Sequence, residues 1–260
     1  DLRQRPDRLL HLLALTARQD GYTIWGVELE ARIVGRSLRR RTRPRLVHFL
    51  YGDHDVHFSP RVLGRLGVRT VATLYFSVEE LERRMPRKRH LRHLDLVLAT
   101  GRDQQAHLAQ FVDPARLGRL PLGVDTGFFR PDPAVAPVPG RLLQVGANRR
   151  DLPTLRTAIE RLRADGREVS VEFVGCDEAA TEFAGLPEVT VRSGLSDEER
   201  RLSYRGAEVV VLPLSEGGSS NALNEALACG VPVVATDRPN LVDYADPRCV
   251  TLVPPSDPQA

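Results

Sequence analysis

Short apolar runs alternate along the chain with segments in which apolar residues recur at helical spacing. Such runs are typical of strands buried on both faces, and their alternation with helices predicts βα units and a mostly parallel sheet. The predicted helix Asp151–Asp165 carries Leu152, Leu155, Ile159 and Leu162 on one face, and a capping box begins a second helix, Ser196–Tyr204. The predicted strands are Leu46–Tyr51, Val68–Phe76, Leu94–Thr100, Arg141–Val145, Val169–Gly175, Val189–Arg192, Glu208–Leu214, Val231–Thr236 and Val250–Val253.

A proline-rich segment, Pro131–Gly140, divides this pattern into two series of βα units. Its prolines exclude both a helix and a central strand, as is typical of a linker. We therefore predict an α/β protein of two Rossmann-like domains, at residues 1–133 and 134–260. Because the chain begins at Asp1 and stops at Ala260 in a proline-rich loop, we expect a fragment in which both domains are incomplete.

The composition is that of an ordinary globular protein, with 42% hydrophobic and 27% charged residues. No apolar run approaches the ~18 residues of a membrane span, and no leader pattern precedes the fold. The three cysteines, Cys176, Cys229 and Cys249, lack metal-ligand spacing and fit a reducing compartment. We expect a cytoplasmic protein, and the near-exclusive use of arginine over lysine suggests a bacterial one.

Basic residues cluster at Arg36–Arg45 and Arg83–Arg92 although the net charge is only +3. Each cluster fits solvated surface, an anionic membrane or lipid acceptor, or nucleic acid. Neither has interleaved aromatic residues or a nucleic-acid-binding motif, so we expect no nucleic-acid partner. Pro86 argues against an uninterrupted amphipathic helix in the second cluster.

A loop of small residues after the apolar run Glu208–Leu214 opens a short helix that ends at Gly230. Ser219 or Ser220 is a suitable N-cap, and the free amides and dipole of the first turn favour an anion such as a diphosphate. Glu225 lies one turn into the helix, where it could accept hydrogen bonds from the vicinal diol of a ribose or be a solvated surface residue. The candidate anion-binding residues are Gly218, Ser219, Ser220, Asn221 and Ala222.

A second group of candidates follows the strand Arg141–Val145. Gly146 permits a tight turn, and the guanidinium groups of Arg149 and Arg150 match phosphate oxygens. The carboxyl edge of an open α/β sheet is where ligands bind. We predict that at least one of these arginines contacts a phosphate, the alternative being a solvated pair with a salt bridge to Asp151.

Three segments together resemble the retaining glycosyltransferases of family 4, which have the GT-B fold. Residues 216–236, Glu-Gly-Gly-Ser-Ser-Asn-Ala-Leu-Asn-Glu-Ala-Leu-Ala-Cys-Gly-Val-Pro-Val-Val-Ala-Thr, look like the donor-site signature of that family. Residues 122–131 are similar to its interdomain segment, and residues 144–155 to the opening of its second domain. Residues 217–224 separate Glu216 from Glu225, one position more than in the family's pattern, so Gly217 takes the first Glu's place unless the loop carries an extra residue.

The resemblance implies transfer of a hexosyl-type sugar, with retention and without metal or other cofactor, from a UDP- or GDP-linked nucleotide sugar. The acceptor would be a lipid, a polysaccharide or a small molecule. It also implies that basic residues neutralise the departing diphosphate, and that Glu216, if it acts, touches the sugar. A catalytically degenerate sugar-nucleotide-binding module is an alternative that the irregular Glu216 spacing permits.

The segment His48–His57 holds the candidate chemistry of the first domain. We expect His48 to be a structural histidine within a strand. Family 4 enzymes often present a histidine near the reacting sugar, so His54 is the candidate for orienting or deprotonating the acceptor, unless this segment is only a turn. Asp53 and Asp55 also match a two-aspartate metal motif, which gives a metal-dependent transferase as a further alternative. Tyr75 stands where relatives commonly have another histidine.

Overall fold

The computed structural model describes residues 24–177, 179–217, 220–239 and 241–260, and the chain divides into two compact units between Pro121 and Leu122. The described part of the first unit contains a parallel sheet of order β1-β2-β3-β4. Its strands are β1 Leu46–Phe49, β2 Arg69–Leu74, β3 Leu96–Ala99 and β4 Leu117–Arg119. Its α-helices are α1 Ile24–Leu38, α2 Gly52–Asp55, α3 Ser59–Arg65, α4 Val78–Arg84 and α5 Arg102–Leu108, and 3-10 helices span Arg40–Thr42, Arg89–His93 and Pro114–Arg116.

The second unit is built on a parallel sheet of order β10-β9-β8-β5-β6-β7. Its strands are β5 Arg141–Val145, β6 Ser170–Gly175, β7 Val189–Ser193, β8 Val209–Leu212, β9 Val233–Thr236 and β10 Val250–Val253. Its α-helices are α6 Leu152–Ala164, α7 Ala179–Glu182, α8 Asp197–Gly206 and α9 Asn221–Ala228.

The predicted α/β class with two Rossmann-like parallel sheets is confirmed, and every predicted strand is present. Leu155 and Ile159 of α6 are buried against β6, as the helical spacing predicts. The capping box at α8 is also confirmed, since Ser196 Oγ accepts from the Glu199 amide at 3.3 Å and the Ser196 amide donates to Glu199 Oε2 at 2.9 Å. Within the described ranges, no helix is both long and apolar enough to cross a membrane.

The proline-rich segment is part of the second compact unit, which begins at Leu122, whereas the domain boundary that we predict follows residue 133. Arg205 donates from Nε to the Arg130 carbonyl at 2.9 Å and from Nη1 to Asp132 at 3.0 Å. The Val138 amide donates to the Gly206 carbonyl at 3.0 Å, and Phe129 is buried in the core. Prolines prevent regular secondary structure here, but they do not prevent the segment from packing on α8.

Candidate functional site

A cavity of about 400 Å³ opens in the second unit at the carboxyl ends of β5 and β8. These two strands are neighbours, and the sheet order runs from β5 to β6 on one side and from β8 to β9 on the other. Such a switch point is where open α/β sheets bind ligands. Predicted site residues that line the cavity are Gly146, Arg149, Arg150, Glu216, Ser220, Asn221, Ala222 and Glu225. Gly218 and Ser219, also predicted, lie outside the described residues.

The turn after β5 places two arginines at the cavity. Gly146 has a φ of 87°, and a Cβ atom there would come within 3.1 Å of Arg150 Nη2, so glycine both makes the turn and leaves room for that guanidinium. Arg149 also has a left-handed backbone, with a φ of 56°. Its carbonyl accepts from the Ser215 amide at 3.1 Å, which joins this turn to the loop after β8.

Arg150 is held against its own turn. It donates from Nη2 to the Val145 carbonyl at 2.8 Å and from Nη1 to the Asn148 carbonyl at 3.0 Å. Burial lowers the pKa of Arg150 to about 10, so the guanidinium is still charged at neutral pH. A fixed positive charge therefore lies at the end of β5.

The loop that carries Glu216 is anchored from two sides. The Leu214 amide donates to Thr236 Oγ1 at 2.9 Å. Arg238 donates to the Leu214 carbonyl at 3.2 Å and to the Ser215 carbonyl at 2.7 Å. These contacts bring Glu216 to the cavity wall together with Gly217.

Helix α9 begins at the cavity. Ser220 is its N-cap, and the Ser220 hydroxyl accepts from the Leu223 amide at 3.4 Å, as one of the two predicted caps. Asn224 Nδ2 donates to the Leu122 carbonyl at 3.0 Å and so fixes the helix to the start of the second unit. The first turn of α9, with Asn221 and Ala222 on the cavity wall, presents the positive end of the helix dipole there.

Glu225 is held by two residues of α8 that sequence analysis did not identify. The Tyr204 hydroxyl donates to Glu225 Oε2 at 2.9 Å, and Arg200 Nε lies 3.4 Å from the same oxygen. Tyr204 is fully buried, and Arg200 lines the cavity and stacks over Phe129 at 5.8 Å. Burial raises the pKa of Glu225, while Tyr204 and Arg200 act in the opposite direction. The arrangement orients the carboxylate before any ligand binds.

The candidate residues of the first unit, His54, Asp53 and Asp55, differ in their burial and in the groups that they contact. His54 lies in α2, and its ring packs edge-on against Phe76 with centroids 4.9 Å apart. Asp53 is buried and accepts from the amides of Tyr75 and Phe76 at 2.5 and 3.2 Å. Asp55 is only partly buried. Asp53 thus supports the β2–α4 loop, which gives it a structural task that the two-aspartate metal hypothesis does not account for.

Two further side chains of the first unit, those of His48 and Tyr75, contact neighbouring residues. His48 Nε2 lies 2.9 Å from Thr73 Oγ1, which fits a structural histidine. Tyr75 packs against Tyr51, with ring centroids 5.6 Å apart.

Cys176, Cys229 and Cys249 are free thiols. In the part of the chain that the structure describes, no three His, Cys, Asp or Glu side chains lie together as a metal site requires.

Comparisons with known proteins point to one family. Residues 138–260 match the family model described as glycosyl transferases group 1. The chain is 33% identical over 160 residues to the MMP alpha-(1->4)-mannosyltransferase of Mycolicibacterium hassiacum. The aligned region covers 56% of this chain and 38% of that protein. The chain therefore spans well under two thirds of the length of this curated relative.

Solved structures share the fold over most of the chain. The sucrose-phosphate synthase of Thermosynechococcus elongatus has a TM-score of 0.71 at 21% identity, covering 91% of this chain and 66% of that one. The alpha,alpha-trehalose 6-phosphate synthase of Burkholderia multivorans has a TM-score of 0.67 at 14% identity, covering 98% and 73%. These similarities confirm the GT-B fold class that the resemblance implied.

Proposed function

Because residues 138–260 match the family model of the glycosyl transferases of group 1, we propose that the protein transfers a hexosyl-type sugar from a nucleotide diphosphate sugar to an acceptor. The observation that carries the proposal is the cavity at the β5–β8 switch point. It gathers the start of α9, the cations Arg149, Arg150 and Arg200, and the pre-oriented carboxylate of Glu225. The first-turn amides of α9 together with Arg149 and Arg150 suit a diphosphate, and the carboxylate of Glu225 suits the hydroxyls of a ribose.

The donor would lie with its phosphates between the first turn of α9 and the two arginines after β5. The predicted amides are those of Ser219–Ala222, of which Ser220 to Ala222 are described. Tyr204 and Arg200 both engage Oε2 of Glu225, so we place the ribose hydroxyls on Oε1. The base would be that of UDP or GDP.

The reaction would proceed with retention and without a metal ion. The bond between C1 of the sugar and the phosphate oxygen breaks, and its electron pair leaves with the nucleoside diphosphate. The acceptor oxygen bonds to C1 on the same face, and the hydroxyl proton passes to the departing phosphate. Preorganised amides and arginines would stabilise the charge that develops on that phosphate, usually the largest catalytic contribution.

Two further residues complete the proposal. Glu216 lies on the cavity wall in the loop before α9, where we expect it to touch the sugar rather than the nucleotide. His54 in the first unit would orient the acceptor. The acceptor class, whether lipid, polysaccharide or small molecule, follows from neither residue.

A nucleoside diphosphate should bind without added divalent metal, because the cavity already supplies positive charge. We expect UDP or GDP at about 100 times its Kd to stabilise the second unit by about 2.7 kcal/mol in the presence of chelator. A thermal-shift panel of nucleoside diphosphates, followed by calorimetry, measures this and identifies the base.

Arg149→Gln should weaken binding of that nucleotide, whereas Arg161→Gln, on the exposed face of α6, should not. Affinity that collapses in chelator and returns with manganese would instead favour the metal-dependent alternative at Asp53 and Asp55. Binding of a nucleotide sugar by the whole protein without turnover would favour the degenerate binding module.

We further propose peripheral contact with anionic membrane at the inner face of the plasma membrane. Arg39, Arg40 and Arg41 are exposed in the first basic cluster. The apolar residues that flank the second cluster, Leu81 and Leu91, are buried in the core and do not face a lipid surface. The attraction would therefore be electrostatic.

Co-sedimentation with anionic vesicles should be strong at low salt and weaken at physiological ionic strength, where charges are screened over about 8 Å. Neutral phosphatidylcholine vesicles are the control. Absence of binding to anionic vesicles at low salt would place the acceptor in solution.

A further inference from the structure

The first unit holds a cavity of about 750 Å³ that no part of the proposed donor site uses. It lies between the start of α3 and the 3-10 helix Arg89–His93, with Phe111 after α5 on its wall. Its lining contains no Asp or Glu. Five of its side chains are permanently basic: Arg61, Arg87, Lys88, Arg89 and Arg92.

Three of these five side chains have no ion-pair partner in the part of the chain that the structure describes. Arg61, Arg89 and Arg92 are exposed, and none of them forms an ion pair with an acidic side chain within the described ranges. Burial lowers the pKa of His93, and the positive charges of Arg92 and Arg61 lower it further. A concave surface lined by one sign of charge concentrates its field and attracts ions of the opposite sign.

Lys88 differs from the arginines because it is buried. Its side chain is 3% exposed, its ammonium donates to Glu82 at 2.9 Å, and it lies 5.0 Å from the centre of the Phe111 ring. These contacts hold the only lysine of the chain at the cavity wall, where its position does not depend on a ligand.

His90 adds a hydrogen-bond acceptor to this cationic lining. It is 7% exposed, and its Nδ1 lies 3.1 Å from the Arg87 carbonyl, so Nδ1 must carry the proton because a carbonyl only accepts. Burial lowers the pKa of His90 to about 3, which keeps the ring neutral at physiological pH. Its buried Nε2 has no hydrogen-bond partner among the described residues, and His90 lines the cavity.

We propose that this cavity of the first unit is a binding site for a phosphomonoester, with Arg61, Arg89 and Arg92 contacting the phosphate and His90 accepting from a hydroxyl of the same ligand. Guanidinium groups bind phosphate through paired, charge-assisted hydrogen bonds. The phosphate can belong to a soluble molecule or to a lipid headgroup. All residues that line this site belong to the first unit, and all those that line the donor cavity belong to the second.

Glycerol 3-phosphate is the soluble probe, because it combines a phosphomonoester with free hydroxyls. Calorimetry at low salt should detect its binding to the full chain, and the double variant Arg61→Gln/Arg92→Gln should lower the affinity about tenfold or more, since both substitutions remove a charge-assisted hydrogen bond to the phosphate. Arg116→Gln is the control, because Arg116 is exposed in the same unit but does not line the cavity. Arg150→Gln, in the donor cavity, should also leave the affinity unchanged.

Vesicles distinguish a lipid from a soluble ligand. Phosphatidylcholine vesicles containing phosphatidic acid carry the same phosphomonoester, whereas those containing phosphatidylglycerol carry a phosphodiester of similar charge. Both lipids are anionic and should bind the exposed arginines of the first basic cluster, so tighter binding to phosphatidic acid than to phosphatidylglycerol, with the excess lost in the double variant, would support the site with a lipid as the source. Equal binding to both lipids together with glycerol 3-phosphate binding that the double variant weakens would support a soluble source. Absence of a glycerol 3-phosphate response and of any preference for phosphatidic acid, or loss of glycerol 3-phosphate only in Arg150→Gln, would overturn the proposal.

Discussion

Replacement of Glu225 by alanine should weaken nucleoside diphosphate binding by about 10- to 150-fold, the range expected when a charge-assisted hydrogen bond worth roughly 1.5–3 kcal/mol is lost. Glu225 lines the cavity one turn into α9, and its carboxylate is already oriented by Tyr204 and Arg200. Glu216→Ala should change nucleotide affinity by no more than a few-fold, while it lowers turnover of the whole protein. Calorimetry of both variants with the same nucleotide measures the difference.

A second variant separates binding from folding. Glu225→Ala also leaves the buried Tyr204 hydroxyl without its acceptor, which costs stability. Glu225→Gln keeps an acceptor oxygen for Tyr204 and removes only the charge, so it should melt close to the unmodified chain and still bind nucleotide poorly. If Glu216→Ala lost the nucleotide and both Glu225 variants kept it, the donor would not lie on α9.

Asp53→Ala should lower the free energy of unfolding of the first unit by about 3 kcal/mol, because two buried amides lose their acceptor at about 1–3 kcal/mol each. Those amides belong to Tyr75 and Phe76. Asp55→Ala, in the same short helix but only partly buried, is the matched control and should change stability by about 0.5 kcal/mol or less. Denaturant unfolding at about pH 4 in chelator measures both, because the folded Asp53 still carries its proton there and its burial costs little. An Asp53 whose only task is to bind metal would leave stability unchanged under these conditions.

Asp53 should also make the stability of the first unit depend on pH. Burial raises the pKa of Asp53 to about 7, above the value of about 3.9 for an unfolded chain. Between these values the folded state binds more protons than the unfolded state, so stability should fall as the pH rises from about 4 to about 7. Asp53→Ala should lack this contribution, and identical pH slopes for the two proteins would contradict the assignment.

Much of the fold could be predicted because its signals are local. The apolar runs of the second unit each form one strand, and the ends of β5 and β10 agree with the prediction. Strand β4 was missed because Leu117–Arg119 has only three residues with a glycine at its centre. Such a segment is too short to contain a recognisable apolar run. Pro131–Gly140 was assigned to a linker because its prolines are visible in the sequence, whereas the contacts of Arg205 with Arg130 and Asp132 are not.

The candidate site could likewise be predicted where its signals are local and not where it depends on tertiary contacts. Arg149, Arg150 and the start of α9 adjoin strand ends, so a parallel sheet was enough to bring them together. Arg200 and Tyr204 lie within α8, where capping and helical spacing are the only local signals. Their relation to Glu225 depends on how α8 packs beside α9, and no sequence interval indicates that contact. The role of His90 Nε2 as a hydrogen-bond acceptor likewise depends on burial and on the contact of Nδ1 with the Arg87 carbonyl, and no sequence motif indicates either.

The left-handed backbone of Arg149 bears on how this protein would respond to selection for stability. An L-residue at a φ of 56° carries roughly 1–2 kcal/mol of steric strain that glycine would not. The chain nevertheless holds an arginine there, at the wall of the donor cavity. Glycine at this position would relieve the strain and remove a cation from the cavity in one step. Heat tolerance and donor affinity therefore oppose each other at a single residue, and a search for thermostable variants that ignores binding would tend to abolish the site.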